Sequence, residues 1–191
     1  MNTLRFNPLD EWKSNMSNDL FLGLSEMIIW LDDFFKGRSD LKMIEIGSYM
    51  GESTCLFASS GMFKEIHCID PFQGQEEAND LLGNNWEEVK QEFNMNTRFF
   101  DNITLHQDFS YNVVDKFKDK SFDFVYIDGS HYYEDVFKDI ELYLPKLKAL
   151  RLIGGHDYNK EFQDVCDVVN ELVGEPDKCF VDSSWIKNVG F

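Results

Sequence analysis

Five short apolar runs, at residues 41–46, 65–69, 103–106, 122–127 and 149–153, constrain this chain more than any other feature. None alternates apolar with polar residues, which is the pattern of strands covered on both faces. Between them the spacing turns helical, over 53–62, 86–100, weakly over 111–117 and clearly over 132–144. In the last stretch Val136, Phe137, Ile140, Tyr143 and Leu144 share one face, and Pro145 bounds the helix. Strands that alternate with helices make βαβ units, so the expected fold is α/β, a doubly wound and mostly parallel sheet with helices on both faces.

The two ends depart from this rhythm. Residues 1–18 are polar and aperiodic and read as an N-terminal arm, which leaves 19–191 as a single domain. Leu20, Phe21, Leu24, Ile28, Leu31 and Phe35 then recur at helical spacing, and Gly37 stops the helix. Near the other end a helix over 162–173, with Val165, Val168, Val169 and Leu172 inward, stops at Gly174. Two further strands, 179–182 and 185–189, joined tightly through Ser183 and Ser184, predict an antiparallel hairpin at one edge and a seven-stranded sheet. Residues 73–85 lack periodicity and are expected to loop over the carboxyl ends of the strands.

Several function classes are disfavoured. No apolar run approaches the roughly 20 residues that cross a bilayer, and residues 1–10 show no basic stretch followed by an apolar one, so a cytoplasmic chain without membrane contact is expected. Cys55, Cys68, Cys166 and Cys179 lie far apart and form no C-x-x-C pair, which predicts reduced, buried thiols. A net charge of −17 opposes binding to phosphate backbones, which needs clustered Lys and Arg, so nucleic acid is not an expected partner. So much acid reads as a solubility feature rather than a surface for a cationic ligand.

In an open parallel sheet, ligands lie outside the carboxyl ends of the strands, near the point where strand order reverses. The residues there are Glu45 with Gly47 to Gly51, Asp70, Asp108, Asp128 to His131, and His156 to Tyr158. Gly47 and Gly51 let backbone approach a ligand closely, and the helix beginning near Ser53 offers free N–H groups to an anion. Asp70 ends the second run where an acid accepts from ribose hydroxyls, although a plain glycine turn and an exposed Asp before Pro71 explain the same residues. A G-x-G-x-x-G fingerprint counted from Gly47 puts Tyr49 and Glu52 where glycines are needed, and no G-K-[ST] follows any strand. Dinucleotide and P-loop chemistry are therefore disfavoured.

The motifs Glu45-Ile-Gly-Ser-Tyr-Met-Gly-Glu-Ser53, Cys68-Ile-Asp-Pro-Phe72, Phe122-Asp-Phe-Val-Tyr-Ile-Asp-Gly-Ser-His-Tyr-Tyr133 and Gly154-Gly-His-Asp-Tyr158, with a terminal strand opening at Trp185, occur in that order. Together they resemble the class I S-adenosylmethionine-dependent methyltransferases, specifically the small O-methyltransferase-like branch with its Rossmann-like sheet, over about residues 41–187. The resemblance implies S-adenosylmethionine as cofactor and transfer of a methyl group to a small-molecule acceptor, foremost a hydroxyl of a sugar or related metabolite. It implies that Glu45 meets the α-amino group, that the backbone from Gly47 through Ser48 and Tyr49 to Gly51, with Ser53, surrounds the carboxylate and sulfonium, and that Asp70 takes the ribose with Phe72 nearby. Asp108 and the Phe109 backbone fall to the adenine edge, and Asp128 and His131 to the meeting point of cofactor and acceptor.

An acceptor hydroxyl needs a base or a metal, and Asp128, His131, His156 and Asp157 are the candidates. Related enzymes hold a divalent ion with an acid after the fourth strand and an Asp-Asp or Asp-Asn pair after the fifth. Here those positions are Asp128 and His156-Asp157. Three readings stay open: a Mg²⁺ or Mn²⁺ site at Asp128, His156 and Asp157, a metal-free base, and a structural His156. Also open are a non-catalytic cofactor-binding module, a metal-dependent hydroxylase-like activity on the same fold, and the oligomeric state, with a homodimer as the candidate. His67 reads as a core or edge histidine, His106 as lining the adenine side, Trp86 and Phe93 as packing residues, and Glu87-Glu88 as a solvated helix face. The Lys148-Ala-Leu-Arg151 stretch replaces the family's Gly-Gly turn before the fifth strand.

Overall fold

The computed structural model describes residues 17–73 and 85–190. Among these, β1 (Leu41–Ile46), β2 (Phe63–Ile69), β3 (Ile103–His106), β4 (Phe122–Ile127) and β5 (Leu147–Gly155) pair in parallel. β6 (Lys178–Cys179) and β7 (Trp185–Asn188) complete a seven-stranded sheet of order β3-β2-β1-β4-β5-β7-β6, in which β7 is antiparallel to both its neighbours. Strand order reverses between β1 and β4. That is the expected doubly wound α/β sheet with a terminal hairpin.

Helices cover both faces because the strand residues point alternately to each. Met43, Phe124 and Tyr126 pack under α1 (Asn18–Phe34), α2 (Glu52–Ser59) and α3 (Trp86–Thr97), joined by Leu24, Phe57 and Phe93. Ile44, Val125 and Ile153 pack on the opposite side with α4 (Ser110–Val113), α5 (Tyr133–Tyr143) and α6 (Gln163–Leu172), through residues such as Val113, Ile140 and Val168. All six residues of β4 are buried, which is why its sequence shows no alternation. The hydroxyl of Ser17 accepts from the Leu20 N–H and caps α1, so residues 17 and 18 belong to the start of that helix. The rest of the expected arm, 1–16, and most of the expected loop, 74–84, lie outside the described residues.

Several sequence expectations shift at the edges. The sixth strand is two residues long rather than spanning 179–182, because the Asp182 carboxylate accepts from the Ser184 N–H (3.0 Å) and hydroxyl (2.8 Å) and folds the segment into a tight turn. The fifth strand begins earlier, and its pairing with β4 slips from Phe122↔Leu147 to Phe124↔Leu152, so the Lys148 to Arg151 stretch is taken up inside the strand. Tyr111 to Phe117 resolves into α4 and a 3₁₀ turn over Val114–Lys116. Cys55 and Cys68 are buried, but Cys166 is only half-buried and Cys179 is exposed, because the short edge strand leaves its side chains uncovered.

Main-chain bonds carry the parallel ladder past the strand ends and fix the loops there. Gly47 donates to the Ile69 carbonyl (2.9 Å), Asp128 to that of Ile46 (2.7 Å) and His156 to that of Ile127 (3.1 Å). Gly47 has φ +80°, and a Cβ on it would lie 2.0 Å from the Asp128 carbonyl oxygen. Gly47→Ala is expected to cost at least about 2 kcal/mol, combining left-handed strain with a backbone clash. The check is a lower urea midpoint at unchanged m-value.

Candidate functional site

The turn after β1 is built around one carboxylate. Glu45 is wholly buried, and its oxygens accept from the hydroxyls of Ser48 (2.9 Å), Ser53 (2.6 Å) and Thr54, with the Cys68 thiol at 3.5 Å. Burial raises its pKa against the opposing pull of these donors. Tyr49 (φ 44°) and Gly51 (φ 80°) complete the turn. The space beside the two glycines is filled by protein, by Asp128 and Gly129 at Gly47 and by Phe93 and Thr97 at Gly51. Both glycines thus serve close contacts of the fold itself.

Asp70, also buried, ties this turn to the end of β2. One oxygen accepts from the N–H groups of Ser48 (3.0 Å) and Tyr49 (2.8 Å), and the other from that of Phe72 (2.7 Å), whose φ is 49°. Burial raises the Asp70 pKa and the three N–H donors oppose it. At the end of β3, Asp108 accepts from Asn112 and from the Phe109 N–H, both at 2.8 Å, and these bonds lower its pKa. Phe109 is exposed and stacks on Tyr111 with ring centroids 5.3 Å apart.

The ends of β4 and β5 bring the remaining candidates together. His156 Nδ1 lies 3.0 Å from Asp157 and 3.9 Å from Asp128, while His131 Nε2 lies 2.8 Å from the other Asp157 oxygen. One ligand atom each from Asp128, His156 and Asp157 falls within a 4.8 Å group. Asp157 adopts φ 60°, a left-handed conformation that Asp tolerates, and it sits between the two imidazoles. Phe162 lies against the His131 ring, with centroids 4.3 Å apart.

Charge is divided unevenly within this group. Burial, reinforced by the Asp157 charge, pushes Asp128 up to about 7 despite the pull of His156. Burial alone would depress His156, but Asp157, Asp128 and Asp182 outweigh it and lift the imidazole to about 9. The same contacts hold Asp157 well below the usual carboxylate range against its own burial, and the hydrogen bond to Asp157 raises His131. At neutral pH the group therefore carries an ionised Asp157, a protonated His156 and an Asp128 poised between its two states.

Two residues escaped the sequence reading of the site. Asp182, with a side chain 2% exposed, stands 3.9 Å from His156 Nε2, and it also fills the notch at Gly23 of α1, where a Cβ would meet its Oδ1 at 1.9 Å. Trp185 lines a cavity of about 10 Å³, room for one water, together with Asp128, His131, His156 and Asp157. Its indole N–H and His156 Nε2 are buried without a hydrogen-bond partner among the described residues. An Asp before two serines carries no local signal for this position, since its partner His156 is distant in sequence.

A family model described as a methyltransferase domain matches residues 44–158, from the middle of β1 through the His156-Asp157 loop. The chain belongs to this family. Its matched segment is a methyltransferase domain, carried on the doubly wound sheet of order β3-β2-β1-β4-β5-β7-β6. A protein of Sinorhizobium fredii described only as uncharacterized protein y4gI is 28% identical over 133 residues, which is 68% of this chain but 14% of that protein. This methyltransferase chain therefore spans about a seventh of that relative. Among solved structures, the cofactor-bound Rv0187 protein from MTB superposes with a TM-score of 0.61 at 12% identity, covering 91% of this chain and 81% of that one. The TDP-rhamnose 3'-O-methyltransferase CalS11 of calicheamicin biosynthesis gives 0.57 at 14% identity, covering 96% and 87%. At these identities the likeness is one of fold.

The raised pKa of His156 has a consequence for stability. A histidine raised on folding contributes stability that is complete below its unfolded value near 6.5 and is lost as pH rises through its folded value of about 9. The unfolding free energy is expected to fall across that window. His156→Gln should flatten this part of the profile, as read by urea denaturation at a series of pH values.

Proposed function

We propose that the chain transfers the methyl group of S-adenosylmethionine to a hydroxyl of a small molecule, with a sugar or related metabolite as the acceptor class. The observation that carries this reading is the convergence of Asp128, His156 and Asp157 beside the Gly47 turn, where a poised base adjoins the motif that this family uses for its cofactor. CalS11, which acts on a TDP-sugar hydroxyl, has the same fold and makes sugar hydroxyls the first acceptors to try. The −17 net charge favours a small acceptor over nucleic acid.

S-adenosylmethionine supplies an already activated methyl group, so the protein's work is to align the acceptor oxygen, exclude water and remove one proton. The turn from Gly47 through Ser48 to Ser53, Asp70 and the Asp108-Phe109 corner hold the cofactor in this reading. Asp128, with a pKa of about 7, is the general base. As the acceptor oxygen gains its bond to the methyl carbon and the carbon–sulfur bond breaks, the hydroxyl proton passes to the Asp128 carboxylate. His156 is protonated at neutral pH and does not take that proton; it stabilises the charge that develops on the acceptor oxygen. His131, anchored to Asp157 and Phe162 and half exposed, bounds the acceptor side.

The donor set also fits a divalent cation. Two carboxylates and an imidazole nitrogen, with ligand atoms within 4.8 Å of one another, would admit Mg²⁺ or Mn²⁺ and, through the imidazole, iron or zinc as well, and the ion would replace the imidazolium charge. Asp128, His156 Nδ1 and Asp157 would hold the ion, which would then acidify the acceptor hydroxyl.

Calorimetric titration with S-adenosylmethionine and with its demethylated product is expected to give saturable binding, and none at millimolar ligand by the folded chain would overturn the cofactor assignment. Asp70→Arg should abolish the binding and Asp157→Ala should retain it. The reverse pattern would show the division between cofactor and acceptor residues to be wrong.

A further inference from the structure

A second pair of histidines lies away from the catalytic group. β2 and β3 pair with Ile66 opposite Ile103, His67 opposite Thr104 and Ile69 opposite His106. His67 and His106 are therefore diagonal neighbours on one face of the sheet, two residues out of step. Their rings meet edge to edge, with His67 Nδ1 3.0 Å from His106 Nε2 and the ring planes 32° apart. Phe117 stands against both rings, at 5.2 Å from His67 and 5.3 Å from His106, and Phe122 stands 5.5 Å from His67. This aromatic wall closes one side, while both imidazoles keep part of their surface open, with the His67 side chain 21% exposed.

The surroundings favour neutral rings that share one proton across their 3.0 Å contact. Burial lowers the pKa of both; at His67 Glu65 opposes this and Lys42 assists it, and at His106 the His67 ring and then Lys116 add to it. The Glu65 carboxylate, itself paired with Lys42 at 2.7 Å, lies 3.9 Å from the remaining nitrogen of His67. An acid on that side favours a proton on Nε2 and leaves the Nδ1 lone pair facing His106, the arrangement that outer carboxylates impose on metal-binding histidines.

We propose that His67 and His106 form a bidentate site for a borderline transition-metal ion, Cu²⁺ or Ni²⁺, separate from the oxygen-rich group at the ends of β4 and β5. With metal–nitrogen bonds of about 2.0–2.1 Å, nitrogens 3.0 Å apart subtend about 94° at the ion. That angle is the cis angle of a square-planar or tetragonal centre, whereas a tetrahedral one would require the nitrogens to separate to about 3.3–3.4 Å. The ion takes the place of the proton shared between the rings after a turn about the second side-chain torsion, which is soft in His. Water supplies the other ligands from the open side. Hard Mg²⁺, which prefers oxygen, is excluded by the same donor set. The location gives the site a consequence, because the His106 carbonyl accepts from the N–H groups of both Asp70 (3.2 Å) and Asp108 (3.0 Å). A bound ion would stitch β2 to β3 directly beneath those two acids.

The sequence holds four histidines, so ring Cε1–H signals in a ¹³C-labelled sample of the full chain report each one separately. Addition of 0.1 equivalent of Cu²⁺, about a tenth of the protein concentration, should broaden His67 and His106 before His131 and His156, through paramagnetic relaxation at the bound sites. Millimolar Mg²⁺ should leave the pair unperturbed. His67→Gln should weaken Cu²⁺ binding read at His106 at least tenfold, and His106→Gln should do the same read at His67, so one folded variant suffices. Broadening that starts at His131 and His156, or affinity unchanged in either variant, would overturn the proposal. This result is independent of whether the chain binds S-adenosylmethionine.

Discussion

The buried Glu45 carboxylate is the interaction on which the organisation of the site depends. A carboxylate withdrawn from water inside the sheet is costly unless its oxygens are occupied, and here hydroxyls from Ser48, Ser53 and Thr54 occupy them. Those donors come from the turn and from the first helical residues that follow, so satisfying the acid fixes the path of the chain out of β1. Asp70 then seizes the N–H groups of Ser48 and Tyr49 from the neighbouring strand end. The turn is thereby clamped from below by Glu45 and from the side by Asp70, and its left-handed residues are held in place by bonds on both flanks.

The opposite side of the strand-order reversal uses charge differently. Asp128, Asp157 and Asp182 gather around His156, and the low-polarity setting makes each charge depend strongly on the others. Asp157 satisfies its charge by taking two imidazoles, while burial raises Asp128 to about 7. Three aspartates that titrate together in water are spread in this way into distinct states around one imidazole. The close approach at Gly47, whose missing side chain admits the Asp128 carbonyl, brings this charged group next to the clamped turn. The turn after β1 and the charged group at the ends of β4 and β5 are therefore neighbours because of one backbone contact.

Much of the fold was legible in the sequence. Unpatterned runs marked the parallel strands because strands covered on both faces have no polar side to reveal, and β4, buried at every residue, is the clearest instance. Glycines and acids after each run marked the strand ends. Errors fall at the sheet edge, where the expected strand over 179–182 gave way to a turn held by Asp182 and the Cys179 thiol was left open, and on α6, where Cys166 is only half-buried. The slip in β5 pairing was also hidden, since register depends on a partner strand that the local residues do not specify.

The candidate site divides along the same line. The residues that could do chemistry, and their positions at the carboxyl ends of the strands, were fixed by spacing along the chain. Their states were not. Glu45, Asp70, Asp128 and Asp157 read alike as acids after apolar runs, yet one is enclosed by hydroxyls, one by backbone N–H groups, one is pushed to about 7 and one is pinned between two imidazoles. The pairing of His67 with His106, 39 residues apart, belongs to the same class of fact. The sequence by itself determined the elements, their order and the chemical types offered at each strand end. Only the tertiary structure decided which groups face each other, because protonation and ligation are set by neighbours within a few ångströms, and the chain brings those neighbours from far away.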